Sequence, residues 1–433
     1  MRRRCLWLLV ILLQCSASAW AAAASEARPN VVLIISDDQG WNDFGFMGSE
    51  VVQTPHLDAL AARSAVFPNG YVPTSLCRAS LATLLTGLYG SQHKICCNDF
   101  PTDPSADRSG THPFIKSVPT VPRLLRDEAG YLSLQTGKFW EGHYTNAGFT
   151  AGMTTKGRHG DDGLAIGRKT MQPLYDFIEN ANAQKKPFFV WYAPMMPHTP
   201  HNPPKRLLSK YSGKVESQPL AAYYAMCEWF DETVGQLLDF LEQSNLTENT
   251  LILFVIDNGW VQQPAAKGKF DVRSKRSPYD AGLRTPILIA WPGKVKPARH
   301  DDLVTSMDLS ATILSACNVA TPRTMQGKSL LDVAQAKGKL DRDAVFGEIY
   351  THDALVLDKP VLSMTHKWAR VGDLKLIRPE AGPTITNPAK AELYDLKADP
   401  HETKNLAAER PDEVKRLSGR IDDWWATIHP TPR

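Results

Sequence analysis

The chain has 433 residues, 43% of them hydrophobic and 22% charged, with a formal net charge of +3. That length holds one large α/β unit and a smaller one, each able to bury a core, and the ordinary composition and absence of repeats exclude fibrous, array and low-complexity classes. Arg2, Arg3 and Arg4 account for the whole net charge, and no basic run rises above the background, so nothing points to nucleic acid.

Residues 1–24 combine those arginines with the apolar run LWLLVILL and the small-residue stretch SASAWAAAA. This is the pattern of a secretory signal peptide, too short to span a bilayer, and it predicts an exported protein, periplasmic or extracellular. Cys15 follows Gln14, where a lipid-attachment site needs a small residue. Without Cys5 and Cys15, five cysteines remain: Cys77, Cys96, Cys97, Cys227 and Cys317. The odd count leaves at least one unpaired or modified. Adjacent Cys96 and Cys97 are poorly placed to pair with each other, and Cys227 and Cys317 fall in core-like apolar patterns.

In chain order, NVVLIIS (30–36), FFVWYAP (188–194), TLILFVID (250–257) and TPILIAWP (285–292) read as buried strands. Helical patterns separate them at 119–130, 169–182, 220–244 and 306–318. The alternation predicts a large mixed, mostly parallel sheet sandwiched by helices, with ligands at the strands' carboxyl ends. From about 340 the apolar runs shorten (KWARVGDLKLI, AELYDL) and an amphipathic helix follows at about 410–427. We expect a catalytic unit over 25–340 and a smaller α+β domain over 341–433.

LCRASLATLLTG (76–87) has the period of a helix ending at Thr86-Gly87, which puts Cys77 in the first turn, where free N–H groups favour an anion. Cys77 there is either a small core hydrophobe or a functional group. The first strand ends in Asp37-Asp38 and the third in Asp257-Asn258. If those strands are neighbours, three carboxylates and an amide converge, a set suited to Ca²⁺ or Mg²⁺. Lys138, His198, His201, Lys275 and Arg284 lie in loops beside strands and would form an anion cradle around such an ion.

Those segments carry a resemblance. In order, PNVVLIISDDQGW, TPHLDALAARSAVFPNGYVPTSLC, LCRASLATLLTGLYGSQH, TGKF, APMMPHTPH, VIDNGW, KRSPYDAGLRTP and ELYDLKADPHETKNL resemble the formylglycine-type sulfatases of the alkaline-phosphatase-like superfamily. The resemblance implies cleavage of a sulfate ester, most simply on a carbohydrate. It implies that a maturation enzyme oxidises Cys77 to Cα-formylglycine, whose hydrated aldehyde is the nucleophile. It assigns Asp37, Asp38, Asp257 and Asn258 to Ca²⁺, and Lys138, His198 and Lys275 to the sulfate and to proton transfer. His201 is a further substrate-binding candidate.

Two positions depart from the family pattern. Leu81 stands where the signature has arginine, and Arg78 is the candidate replacement cation. Trp140 stands where a histidine is common, and His143 is the candidate replacement. Two other readings stay open: a phosphodiester or phosphonate hydrolase on the same fold, and a silent sulfoglycan-binding protein with Cys77 unmodified. Substrate choice is expected in the loops 96–115, 141–168 and 260–275. TTKGRHGDDG (154–163) is either a sugar-facing loop or a solvated one.

Overall fold

The computed structural model describes residues 28–99, 112–156, 159–383, 385–386 and 388–430. The segment read above as a signal peptide, and most of the first loop expected to govern substrate choice, lie outside them.

An eight-stranded sheet forms the larger part of the molecule. Its strands are Asn30–Ser36 (β1), Ala65–Phe67 (β2), Leu132–Gly137 (β4), Ala151–Gly152 (β5), Phe188–Ala193 (β6), Thr250–Ile256 (β7), Ile287–Ala290 (β8) and Ala298–Arg299 (β9). They run in the order β5-β4-β6-β1-β7-β8-β2-β9. The short pair Gly70–Tyr71 (β3) and Val304–Thr305 (β10) lies apart. β1 is central and parallel to both β6 and β7, with Ser36 opposite Ile256. The Asp37-Asp38 and Asp257-Asn258 ends are therefore neighbours. β8 runs antiparallel to β7, so the sheet is mixed, as expected.

Alternate residues of the central strands face two cores. Val31, Leu33 and Ile35 join Leu251, Leu253 and Val255 on one side. Val32 and Ile34 join Ile252, Phe254 and Ile256 on the other. Because both faces are covered by helices, the strands read as continuous apolar runs. The helices Val121–Ala129, Gln172–Ala183, Gln218–Gln243 and Met307–Ala316 fall where the periodicity places them.

β4 escaped the sequence reading. Its LSLQTG has no apolar run, yet Ser133, Gln135 and Thr136 are buried. Their side chains are bonded instead: the Thr136 hydroxyl donates to the Trp191 carbonyl at 2.8 Å, and the Gln135 amide donates to the Gly137 carbonyl at 3.2 Å. Gly137 ends the strand at φ +69°, and a Cβ there would lie 1.9 Å from the Ala193 carbonyl oxygen. Only glycine fits that close approach.

Beyond residue 340 the chain forms an antiparallel sheet of Ala344–Tyr350 (β11), Met364–Val371 (β12), Leu374–Pro379 (β13) and Glu392–Asp395 (β14). The helix Pro411–Ile428 closes it with Leu417, Ile421, Trp424 and Ile428. No helix among the described residues is long and apolar enough to cross a membrane.

Candidate active site

Cys77 is the first residue of the helix Cys77–Thr86, whose N-cap Leu76 supplies no side-chain cap. The free N–H groups and dipole of that end face the carboxyl ends of β1 and β7. Ligand atoms of Asp37, Asp38, Cys77 and His198 all lie within 4.8 Å of one another. The fold thus gathers residues as far apart in sequence as Asp37 and His198.

Two buried lysines hold the carboxylates. Lys138 Nζ donates to Asp37 Oδ1 at 2.6 Å and stands 3.8 Å from Asp257 Oδ2. Lys275 Nζ donates to both oxygens of Asp38 at 2.6 and 2.7 Å, and Asn258 Nδ2 donates to Asp38 Oδ1 at 2.7 Å. Burial alone would raise the Asp38 carboxyl, but Lys275, His198 and Lys138 outweigh it and hold it well below the usual carboxylate range. Asp257 goes the other way, pushed well up by burial and by the neighbouring charges of Asp37 and Asp38.

Three oxygens in this pit have no hydrogen-bond donor: Asp37 Oδ2, Asp257 Oδ2 and Asn258 Oδ1, all buried. A buried acceptor without a donor costs about 1–3 kcal/mol, more when charged. Three carboxylates and a carboxamide that converge with unfilled lone pairs suit a hard divalent cation with oxygen ligands. The residues present fit such an ion.

Burial pushes the Cys77 thiol up to about 12, and Lys138 and Lys275 pull it back only in part. An unmodified Cys77 is therefore protonated at neutral pH and a poor thiolate nucleophile. His198 Nδ1 lies 2.7 Å from the Thr199 carbonyl oxygen, which places its proton there and leaves Nε2 facing Asp38 Oδ2 at 3.4 Å. Burial, and secondarily Lys138, lower the His198 pKa. His201 is deeper beside Tyr223 and Trp260, and burial takes it down to about 4.

The two substitute residues land differently. Arg78 is buried and forms a two-pronged pair with Glu141 at 2.7 and 2.9 Å, while its backbone N–H donates to Asn98. It ties the Cys77 helix to the Lys138 loop. Leu81 and Trp140 have joined one apolar core, where the family pattern has polar groups. His143 stays outside the pit and caps the turn Tyr144–Ala147 by accepting from Thr145. Arg284 likewise lies away, donating to the Pro68 carbonyl and Asn69.

Three residues went unread in the sequence. His159 stands edge-on to Trp140 at 4.2 Å between ring centroids and 5.9 Å from His198. It arrives because Gly160 and Gly163 seat their loop on the Gly137 carbonyl, where a Cβ would come within 2.2 and 2.7 Å. That packing sets the latter half of TTKGRHGDDG against the end of β4, with His159 beside His198. Arg168 donates to the carbonyls of Met195 and His198 and so fixes the His198 loop. Glu141 is the partner of Arg78. Cys96 and Cys97 are neighbouring buried thiols with sulfurs 3.5 Å apart, and Cys227 and Cys317 are core residues as expected.

A mixed sheet whose carboxyl ends gather oxygen donors, two lysines, a histidine and a helix N-terminus defines a centre for a tetrahedral anion. The comparisons say which. Residues 29–319 match the sulfatase family model, and 267–423 match the model of the C-terminal part of N-sulphoglucosamine sulphohydrolase. The chain belongs to the sulfatase family and is a sulfuric ester hydrolase. It is 28% identical over 401 residues to N-acetylgalactosamine-6-sulfatase of Canis lupus familiaris, covering 81% of this chain and 73% of that one. It is 26% identical to an ulvan-active sulfatase of Formosa agariphila, covering 89% and 77%. In fold it matches a protein solved in complex with its substrate D-glucosamine-2-N,6-O-disulfate (TM-score 0.72, 21% identity, 93% and 98% covered). A sulfatase from Pseudoalteromonas sp. gives a TM-score of 0.70 at 19% identity, with 94% and 92% covered.

Proposed function

We propose that this sulfatase removes sulfate from a carbohydrate, using a formylglycine made from Cys77 beside a Ca²⁺ ion. The observation that carries the reading is the trio of buried, donorless oxygens on Asp37, Asp257 and Asn258, set against a cysteine at a helix N-terminus. Asp37, Asp38, Asp257 and Asn258 would hold the ion, with Mg²⁺ the alternative occupant. When bound, it supplies positive charge to the sulfate oxygens and to the nucleophile. The formylglycine supplies a hydrate oxygen as the attacking group.

The chain's own residues do the rest. Lys138 and Lys275 place two ammonium groups where sulfate oxygens gather, and the helix N-terminus adds backbone donors. His198 Nε2 carries the free lone pair and is the atom that takes or returns a proton at the ester oxygen. Arg168 and the Arg78–Glu141 pair hold those groups in register. The relatives named for N-acetylgalactosamine-6-sulfate and ulvan support a glycan substrate. The N-terminal segment supports export, and the change to an antiparallel sheet at Ala344 supports a second domain from about 341.

The test is the mass of the Cys77 peptide from protein made in its native host, alongside sulfate release from sulfated sugars. We expect a peptide that has exchanged sulfur and two hydrogens for oxygen and reacts with a hydrazide. An unmodified thiol throughout an active preparation would defeat the formylglycine route. Turnover of phosphodiesters but not sulfate esters would defeat the substrate class.

A further inference from the structure

Cys96 and Cys97 follow the short helix Gly90–His93 in a segment without regular structure. Adjacent side chains of an extended chain point to opposite sides. These two do not. Their sulfurs face each other at 3.5 Å, both residues buried, against Tyr350, Ala354 and Met364. The objection to pairing neighbours is that their Cα atoms, about 3.8 Å apart, are closer than the roughly 4.4–6.8 Å usual across a disulfide. That objection concerns the backbone, and this backbone brings both sulfurs to one side, the arrangement that closes an eight-membered ring. The other cysteines lie elsewhere: Cys77 at the pit, Cys227 and Cys317 in two separate cores.

The hydrogen bond to Cys97, and then burial, push the Cys96 thiol well above its ordinary range, so in the folded protein it is no thiolate nucleophile. What the pair adjoins is the helix that starts at Cys77. Asn98, the next residue and also buried, accepts from the Arg78 N–H with its Oδ1 at 3.0 Å. It thereby takes up one of the free donors in the first turn of that helix. Its own N–H donates to the His352 carbonyl at 2.9 Å, just beyond β11. Residues 96–98 therefore tie the Cys77 helix to the antiparallel part of the molecule. A covalent ring at 96–97 would remove backbone freedom immediately ahead of that tie.

We propose, resting on the export reading above, that Cys96 and Cys97 are a modification site: in the exported protein they form a vicinal disulfide that locks Asn98 onto the Cys77 helix. The reaction is thiol–disulfide exchange with a disulfide-bearing oxidant of the oxidising compartment. One cysteine thiolate attacks the oxidant's disulfide and forms a mixed disulfide, releasing the first oxidant thiol. The second cysteine attacks the sulfur of the first and releases the other. The Sγ–Sγ bond forms, the two cysteines lose two protons and two electrons, and the oxidant leaves as two thiols. Both cysteines are buried once folded, so exchange takes place before the chain closes over them.

The experiment starts with mature protein from its native host, unfolded in iodoacetamide without reductant and digested with trypsin. The peptide Ile95–Arg108 should be unalkylated and two hydrogens lighter than its dithiol form, and should accept alkyl groups only after reduction. Hydrogen exchange at the Arg78 amide is then followed in the folded protein, with and without a phosphine reductant, beside a variant carrying Cys96→Ala and Cys97→Ala. Reduction should speed Arg78 exchange at least about threefold in the parent and leave the variant unchanged. Alkylated thiols in Ile95–Arg108, or a disulfide from either cysteine to the peptide of Cys77, Cys227 or Cys317, would overturn the modification site. A closed ring with the same Arg78 exchange before and after reduction would overturn its action on the helix. The N-terminal peptide of the same digest judges export separately. A chain that keeps residues 1–24 strikes the export reading, and the ring is then tested on that protein refolded in oxidised glutathione, where open thiols overturn it.

Discussion

Two buried clusters of charge flank one segment of the chain, and they are finished to different degrees. At one end of 275–280, Lys275 reaches into the pit, where Asp37 Oδ2, Asp257 Oδ2 and Asn258 Oδ1 lack donors. At the other end Asp280 meets Lys375 of β13 and Glu402, at 2.7 and 2.8 Å from the lysine Nζ. There every carboxylate oxygen is satisfied. Tyr71 donates to Asp280 Oδ2 at 2.8 Å, and the Asp280 N–H donates to Glu402 Oε2 at 2.7 Å. Arg370 donates in turn to the Tyr71 hydroxyl at 2.6 Å. The saturated knot joins the antiparallel sheet to the loop that carries Lys275. The pit keeps three buried acceptor oxygens without donors, the set proposed above to hold a divalent ion. Of these two clusters, the saturated one is structural and the unsaturated one lies at the candidate active site.

The sharpest way to break the comparison is at the knot. Lys375→Met leaves two buried carboxylates without their cation, which costs about 3–5 kcal/mol. The loss, read from urea unfolding, should be the same in Ca²⁺ and in chelator. A loss under about 1 kcal/mol would show that the knot is not what holds the sheet to the loop.

The pit should respond in the opposite sense. Asp257→Asn removes a like charge from beside Asp37 and Asp38, so in chelator the variant should melt above the parent. Added Ca²⁺ should then stabilise the parent by about 2.7 kcal/mol at a hundredfold excess over its dissociation constant, and the variant far less. If the variant melts below the parent in chelator, or gains as much from Ca²⁺, the open-valence account of these oxygens fails.

A third buried group is satisfied but only while neutral. His93 accepts from the Ile95 N–H at Nδ1 (3.0 Å), so Nε2 carries the proton towards Thr83 at 3.1 Å. Burial, then Arg78, takes its pKa down from 6.5 to about 3. The unfolded chain therefore binds the proton first as pH falls, and the stability present above pH 6.5 drains away towards pH 3. At pH 5 this single residue costs about 2 kcal/mol relative to pH 8. His93→Gln should flatten that part of the stability–pH curve, and an unchanged slope between pH 7 and 5 would mean that other groups set it.

The same contrast explains what the sequence revealed. β1, β6, β7 and β8 were legible because burial on both faces makes them continuous apolar runs, and the acidic residues that follow β1 and β7 point to the pit. β4 was not, because its buried polar side chains satisfy themselves through bonds that no periodicity reports. His159 was missed for a related reason. His143 is nearer along the chain to Trp140, but Gly160 and Gly163 bring the later loop onto the Gly137 carbonyl, and a glycine contact leaves no hydrophobic signal. Glu141 and Arg168 act on a guanidinium and on backbone carbonyls. Both partners are known only once the chain is folded.

Exposure supplies the last control. Arg206 and Glu232 form a two-pronged pair at 2.5 Å, a geometry as good as that of Arg78 with Glu141. The Arg206 side chain is 60% exposed, however, whereas that of Arg78 is 6% exposed. Water already solvates both partners of the outer pair, and salt screens them. Glu232→Gln should therefore cost no more than about 0.5 kcal/mol, and less again at high salt. A cost of several kcal/mol there would mean that geometry alone sets the strength of these pairs. The distinction between a saturated buried knot and an open pit would then have to rest on something other than burial.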